Sequence, residues 1–290
     1  MDKQSVTGVS TLKPEEIKVR IEAFSLNHPE SATNKAKGIL GTVVQAGDAA
    51  SGLLNKRVLV PSCRPCGECN PCRKGVVSFC SQATPRSEDD DPHSVSQARF
   101  AVPLENSFSE AGHEAAACGG FVGEIYGMFC AGGFKIGSQC IVAGGTASFK
   151  MACHATGEAL GVKTTFLSTP FEKTNYNPPE SFDDSPKLVL VERRHLSDLD
   201  KLATIAPHGS TMVIRHDESD HPIDFAPWIS AGNHIVSHHK SHPELIPELL
   251  SLNTKGFLDL SKMVSLESST HENTDVPPDS SSQLLKVVVV

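Results

Sequence analysis

Apolar and polar residues alternate over Glu16–Phe24, the period of two that marks a strand with one buried face. Gly38–Gly47, Lys56–Pro61 and Arg99–Pro103 each hold a short apolar run bounded by glycine, proline or charge, and all three read as strands. Glu110–Cys130 changes to a helical spacing and leads into Cys140–Ala143, a strand that ends in Gly144-Gly145. A helix near Ser148–Leu160 follows, then strands at Lys163–Leu167 and Lys187–Val191, a helix near Leu196–Ile205 and a strand at Ser210–Arg215. Alternation of this kind predicts a parallel sheet covered on both faces. Glu244–Leu252 reads as a further helix, and the β-branched run Leu284–Val290 as a buried or paired strand. Ser81–Ser96, with Pro85, Pro92 and the acidic run Glu88-Asp89-Asp90-Asp91, is expected to be a solvated loop. The same reading covers Ser237–Pro243, so His234, His238, His239 and His242 are expected at a polar surface and not around a metal.

A chain of 290 residues suits one large domain or two ordinary ones, and a 39% hydrophobic share is enough for a core. The net charge of −8 argues against nucleic acid as a partner, because phosphate binding needs a basic face. No apolar run approaches the roughly 20 residues of a membrane span. The chain opens without a signal-like apolar stretch, which predicts a soluble protein of the cytoplasm with its cysteines as thiols.

Those cysteines carry the strongest chemical signal. Cys63, Cys66, Cys69 and Cys72 recur every third residue, and Cys80 follows a short loop later. Two Cys-x-x-Cys steps with a further thiol predict a closed four-sulfur zinc site, with bonds of about 2.3 Å and no position open to water or substrate. Such a metal holds a loop and does no chemistry. On spacing alone, the first four or the last four thiols could be the ligands.

Strand, turn, strand and then Cys66-Gly-Glu-Cys69-Asn-Pro-Cys72 with Cys80 resembles the zinc-containing alcohol dehydrogenases of the medium-chain dehydrogenase/reductase superfamily. The resemblance runs, with gaps, from about Ile17 to Val290. It selects Cys66, Cys69, Cys72 and Cys80 as ligands of a structural Zn²⁺ and leaves Cys63 spare, since the family has glycine after the first ligand and a longer loop before the last. It also implies an α/β fold of two interleaved parts. Residues 1–113 and 246–290 would form a GroES-like β domain with a zinc lobe at 63–80, and 114–245 a truncated, Rossmann-like doubly wound domain.

The family's dinucleotide fingerprint, Gly-x-Gly-x-x-Gly, falls on Ala143, Gly145 and Ser148. Only the central glycine remains, helped by Gly144; Ala143 is expected to place a Cβ at a positive-φ position, and Ser148 to thicken a helix–strand contact. Cofactor contacts are expected from Gly144, Gly145, Thr146 and Ser168. Ser168 and Thr169 stand where the family has a ribose-binding carboxylate, and Lys173 follows, so NADP is favoured over NAD. Only Pro170–Pro186 separates the second strand of this domain from the next, too little for the usual helix, strand and helix, so at least one strand and one helix are expected to be missing.

The family's catalytic zinc takes a Cys, a His and a later Cys. Asn27 stands at the first position, and Pro29 replaces the hydroxyl of the proton relay. The Gly-His-Glu motif of the second ligand does not fit between Glu30 and Gly38; Gly112-His113-Glu114 lies elsewhere and reads as coincidence. Cys118 best matches the third ligand, and Asn27, His28 and Cys118 are the remaining catalytic candidates. The resemblance thus implies an NAD(P)H-dependent oxidoreductase without catalytic zinc, acting on a small carbonyl, alcohol or activated alkene, with a homodimer through a sheet edge. The alternative is a non-catalytic relative that keeps only the structural zinc and serves as a binding or assembly protein.

Overall fold

The computed structural model describes residues 12–26, 38–61, 63–75, 77–85, 92–104, 112–167, 187–192, 202, 206, 208–215, 224–238, 242–268 and 284–290. The first sheet contains β1 (Glu16–Ser25), β2 (Ile39–Ala46), β3 (Arg57–Val60), β6 (His93–Gln97), β7 (Val102–Pro103), β13 (Val264–Ser268) and β14 (Leu285–Val289). Its order is β13-β14-β1-β2-β3-β7, with β6 also paired to β1. A short ladder of β4 (Cys63–Arg64) and β5 (Thr84–Pro85), with α1 (Asn70–Arg73) between them, makes a separate lobe.

β1 shares one edge between two partners. Ala23–Ser25 pair with β14 and Glu16–Arg20 with β6, while β2 takes the other edge. Register shifts at Lys18/Val19 and Ile21/Ala23 add the local twist that such a split needs. Ile17, Val19 and Ala23 are fully buried, as the alternation predicts. The expected loop Ser81–Ser96 is corrected here, since His93–Gln97 forms a strand. Apart from Val95 its side chains are polar, and only Ser96 is fully inside, so this edge strand leaves almost no hydrophobic pattern.

The second sheet is wholly parallel, in the order β12-β11-β10-β8-β9. Its strands are β8 (Gln139–Ala143), β9 (Lys163–Leu167), β10 (Leu188–Glu192), β11 (Thr211–Arg215) and β12 (His234–His238). Alternate side chains feed opposite faces. Cys140, Val142, Leu188, Leu190 and Val213 pack with α2 (Phe121–Ala131) and α3 (Ala147–Ala159). Ile141, Ala143, Val189, Val191, Met212 and Ile214 pack on the other side with Leu202, Ala206 and Trp228 of α4 (Ala226–Ser230). β10 is buried at every position, the unbroken apolar run of a central parallel strand. The helix expected at Leu196–Ile205 falls mostly outside the described residues, but the Ala206 amide donates to the Leu202 carbonyl at 2.9 Å in helical spacing. Among the described residues this Rossmann-like sheet has five strands, and none pairs with the outer side of β9.

Glu110–Cys130 is not one helix. His113–Gly119 is a 3₁₀ segment, Gly120 breaks the helical path at φ −118° and ψ −124°, and α2 begins after it. The 3₁₀ segment packs on the first sheet and on α2. A Cβ on Gly38 would come closer than 3.0 Å to the backbone of Ala116, Gly119 and Gly120, so the first sheet approaches it with no side chain between them. α5 (Ile246–Thr254) packs on this segment and on α2, after which the chain returns to the first sheet as β13 and β14.

Candidate metal centre and nucleotide crevice

The lobe folds four thiols onto one point. The Sγ atoms of Cys66, Cys69, Cys72 and Cys80 all lie within 4.8 Å of one another, the last four of the sequence series. The Cys63 side chain lies outside the described residues. Tetrahedral zinc with bonds of about 2.3 Å sets its sulfurs about 3.8 Å apart, and Cys66 and Cys72 stand at 4.0 Å. The Cys66 amide donates to the Cys80 sulfur and the Cys69 amide to the Cys66 sulfur, both at 3.4 Å. Backbone amides of Cys69 and Glu68 draw the Cys66 thiol down to about 6, while burial pushes the Cys72 thiol up to about 12. A bound zinc would take all four as thiolates. Gly67, at φ 82°, makes the turn after the first ligand, and its carbonyl accepts from the Arg99 guanidinium. Gln97 of β6 donates to the Cys66 carbonyl at 3.2 Å, which ties the lobe to the first sheet. The donor set fits a structural zinc.

The second candidate region is the turn after β8. Gly144 and Gly145 have φ 67° and 82°, a conformation that glycine adopts without cost. Ala143 is a buried strand residue outside the left-handed region, which corrects the expectation for its Cβ; the tight turn is made one residue later. A Cβ on Gly145 would lie closer than 3.0 Å to the Phe149 ring. The Thr146 hydroxyl caps α3 by accepting from the Phe149 amide at 3.2 Å. Ser148 is buried in the first turn of α3, and a close helix–strand approach is made at Gly157, against Thr164 of β9. Gly144, Gly145 and Thr146 thus converge at the amino end of a 13-residue helix, where backbone amides and the helix dipole favour an anion.

Asn27, His28 and Ser168 lie outside the described residues. Cys118 is fully buried in the apolar cluster between the sheets. Burial, and then Glu114, push its thiol well above the ordinary range, away from the thiolate that metal ligation needs. His113 sits at the start of the 3₁₀ segment, half-buried.

The carboxyl edge of the parallel sheet holds a row that the sequence reading passed over. Glu192, Arg215 and His238 end β10, β11 and β12 and stand in register. Arg215 donates to Glu192 at 3.0 Å and, through two nitrogens, to Glu124 of α2 at 3.0 and 3.2 Å. Its guanidinium also lies 4.9 Å from the centre of the Phe121 ring. The available signal was a charged residue closing an otherwise apolar strand, in Leu188–Glu192 and again in Thr211–Arg215.

His238 and His242 correct the expected solvated loop, for both are buried, with ring centres 5.3 Å apart; His234 is exposed and His239 lies outside the described residues. The His238 ring rests on α2 at Gly127. His242 Nδ1 lies 3.6 Å from Glu244, and its ring is 6.5 Å from Phe79 of the cysteine lobe. Burial lowers the His242 pKa against the opposing pull of Glu244.

No protein-family profile matches the chain, and no curated protein does. Solved structures do. An alcohol dehydrogenase from Thermus sp. ATN1 superposes with a TM-score of 0.78 at 16% identity, over 97% of this chain and 94% of that one. A candidate zinc-binding dehydrogenase from Sinorhizobium meliloti 1021, bound to NADP, gives 0.76 at 16% identity over 98% and 94%. A short chain alcohol dehydrogenase from E. coli CFT073, complexed with NADH, gives 0.75 at 14% over 97% and 94%. Identities this low speak for the fold. The chain has the fold of these dehydrogenases, a GroES-like β part joined to a Rossmann-like sheet.

Proposed function

We propose that this chain is an NAD(P)-dependent oxidoreductase of the alcohol dehydrogenase type that works without a catalytic zinc. The observation that carries the reading is the turn Gly144-Gly145-Thr146, with both glycines at positive φ and a capped helix directly behind. That is the construction on which a pyrophosphate rests. The NADP and NADH held by two similar structures support it. When bound, the nicotinamide gives a hydride to, or takes one from, a small carbonyl, alcohol or activated alkene. Gly145 lets the backbone approach the pyrophosphate, and Thr146 and Phe149 hold the turn in shape. Asn27 and His28 are the residues proposed to hydrogen-bond the substrate oxygen. Asn27 in place of a cysteine and the deeply buried Cys118 support chemistry without a second metal. Ser168 and Thr169, in place of a carboxylate, support NADP.

The division into 1–113 with 246–290 and 114–245, a cytoplasmic location and a homodimer belong to the same proposal. Among the described residues no helix is long and apolar enough to cross a membrane. One observation favours the second reading, a non-catalytic binding or assembly protein. The row Glu192, Arg215 and His238, with its first and last members buried, fills the carboxyl edge of the parallel sheet with ion-paired and packed side chains, the edge at which ligands of such sheets bind. Titration with NADPH and NADH, followed by nicotinamide fluorescence, decides between them. Saturable binding, tighter for NADPH, is the expected result; no binding of either at millimolar concentration by zinc-containing protein would overturn the oxidoreductase reading.

A further inference from the structure

Phe79 is 52% exposed and does not belong to the apolar cluster of its own lobe, which is Cys72, Val77, Cys80 and Phe100. Its ring instead faces His242, beyond the lobe. Gly75 faces the same segment, since a Cβ there would stand 3.8 Å from a Glu244 carboxylate oxygen, at ordinary contact. The lobe therefore meets residues 242–244 at Phe79 and runs close to them at Gly75. From His242 the contacts run to His238, the last residue of β12, and from there to Gly127 of α2 and to Arg215, its register partner. Glu124 joins Arg215 back to α2 one turn before Gly127.

We infer that the four-cysteine lobe controls the order of the carboxyl end of β12 and of α2 beside it, with Phe79 and His242 as the positioning residues that connect them. Phe79 immediately precedes Cys80 and closes the 3₁₀ turn in which the Cys80 amide donates to the Val77 carbonyl at 3.0 Å. A metal that fixes the Cys80 sulfur fixes this turn and holds the Phe79 ring against His242. With the metal gone, four thiols at van der Waals separation no longer share one centre, and the turn loses its anchor. His242 and His238 then lose one wall of their packing, and the carboxyl end of β12 opens more often. The inference rests on the zinc reading of the cysteines and not on the dinucleotide reading of the crevice.

Hydrogen exchange read by mass spectrometry on the full chain tests it, with protein carrying about one zinc per chain compared with chelator-stripped protein. Stripping is expected to speed exchange over residues 234–238 and 121–131 by about fivefold or more. The zinc-loaded Phe79→Ala variant is expected to show the same fast exchange with its zinc retained, and Phe79→Tyr to restore protection. Because Phe79 is half-exposed, its truncation is not expected to unfold the lobe. Exchange over 234–238 that is indifferent to zinc, or that remains slow in zinc-loaded Phe79→Ala, overturns the inference. Protein that takes up no zinc overturns it together with the metal reading. An exchange response without any NADPH binding supports the coupling while removing the dinucleotide reading.

Discussion

The ring of His238 occupies the space where a side chain on Gly127 would begin. A Cβ built on Gly127 would lie closer than 3.0 Å to both Cε1 and Nε2 of that ring. Glycine inside a helix costs about 1 kcal/mol relative to alanine, so this position has a packing reason. Gly127→Ala, stabilising on propensity alone, is expected to destabilise by about 1–3 kcal/mol through overpacking. Adding His238→Ala should recover most of that loss. A double-mutant cycle by urea unfolding measures it, and additive effects would show that the ring is not the cause.

Arg215 holds two buried carboxylates, one on α2 and one on β10. Removing the guanidinium leaves both uncompensated in a water-poor site. Arg215→Met is expected to cost about 3–5 kcal/mol. Arg215→Lys should fall between it and wild type, since an ammonium cannot reproduce the fork that spans Glu124 and Glu192. The sole tryptophan, Trp228, is buried and donates to the His234 carbonyl at 3.1 Å. Its emission reports unfolding of this sheet in guanidinium. A loss below about 1 kcal/mol would mean that the triad is incidental to stability.

Much of the fold was legible because burial on one or both faces writes a period. β1 shows the period of two, β10 the continuous apolar run, and the cysteine spacing marks the lobe. What escaped lies at edges. Among the described residues His93–Gln97 and His234–His238 each pair with one strand and are rich in polar side chains, and Val264–Ser268 pairs with β14 alone. The buried histidines were hidden for a related reason. A polar residue at a strand end looks like the start of a loop until a glycine on a distant helix is seen to make room for it. Arg215 was equally illegible, because its two carboxylates come from positions 91 and 23 residues away.

Zinc content separates the two cysteine quartets that spacing alone allows. Cys72→Ser replaces a sulfur of the converging set, and Cys63→Ser replaces the thiol that the family resemblance leaves spare. The first is expected to lose the metal and lower the thermal midpoint by roughly 5 °C. The second should keep about one zinc per chain and the wild-type midpoint. Atomic absorption on the purified variants reads the difference, and loss of zinc from Cys63→Ser would reassign the ligands.

Glu22 makes an acid-sensitive contact in the first sheet. Burial works against its ionisation. The Thr42 hydroxyl, donating at 2.5 Å, the Arg57 guanidinium at 2.6 Å and the nearby His113 outweigh it and hold the carboxyl below its ordinary value. A carboxylate whose pKa is lower folded than unfolded contributes its full stabilisation above the unfolded value of about 4.3. That contribution is lost as the pH falls from there through the lower, folded-state pKa. Glu22→Gln is therefore expected to cost about 1.5–3 kcal/mol at pH 6, as hydrogen bonds to a charged group do. Toward pH 3 the wild-type and variant stabilities should converge, because the wild-type carboxyl takes up its proton and the variant has none to take. Urea-unfolding free energies at the two pH values measure this, and a gap that stays constant would assign the stability of Glu22 to shape and not to charge.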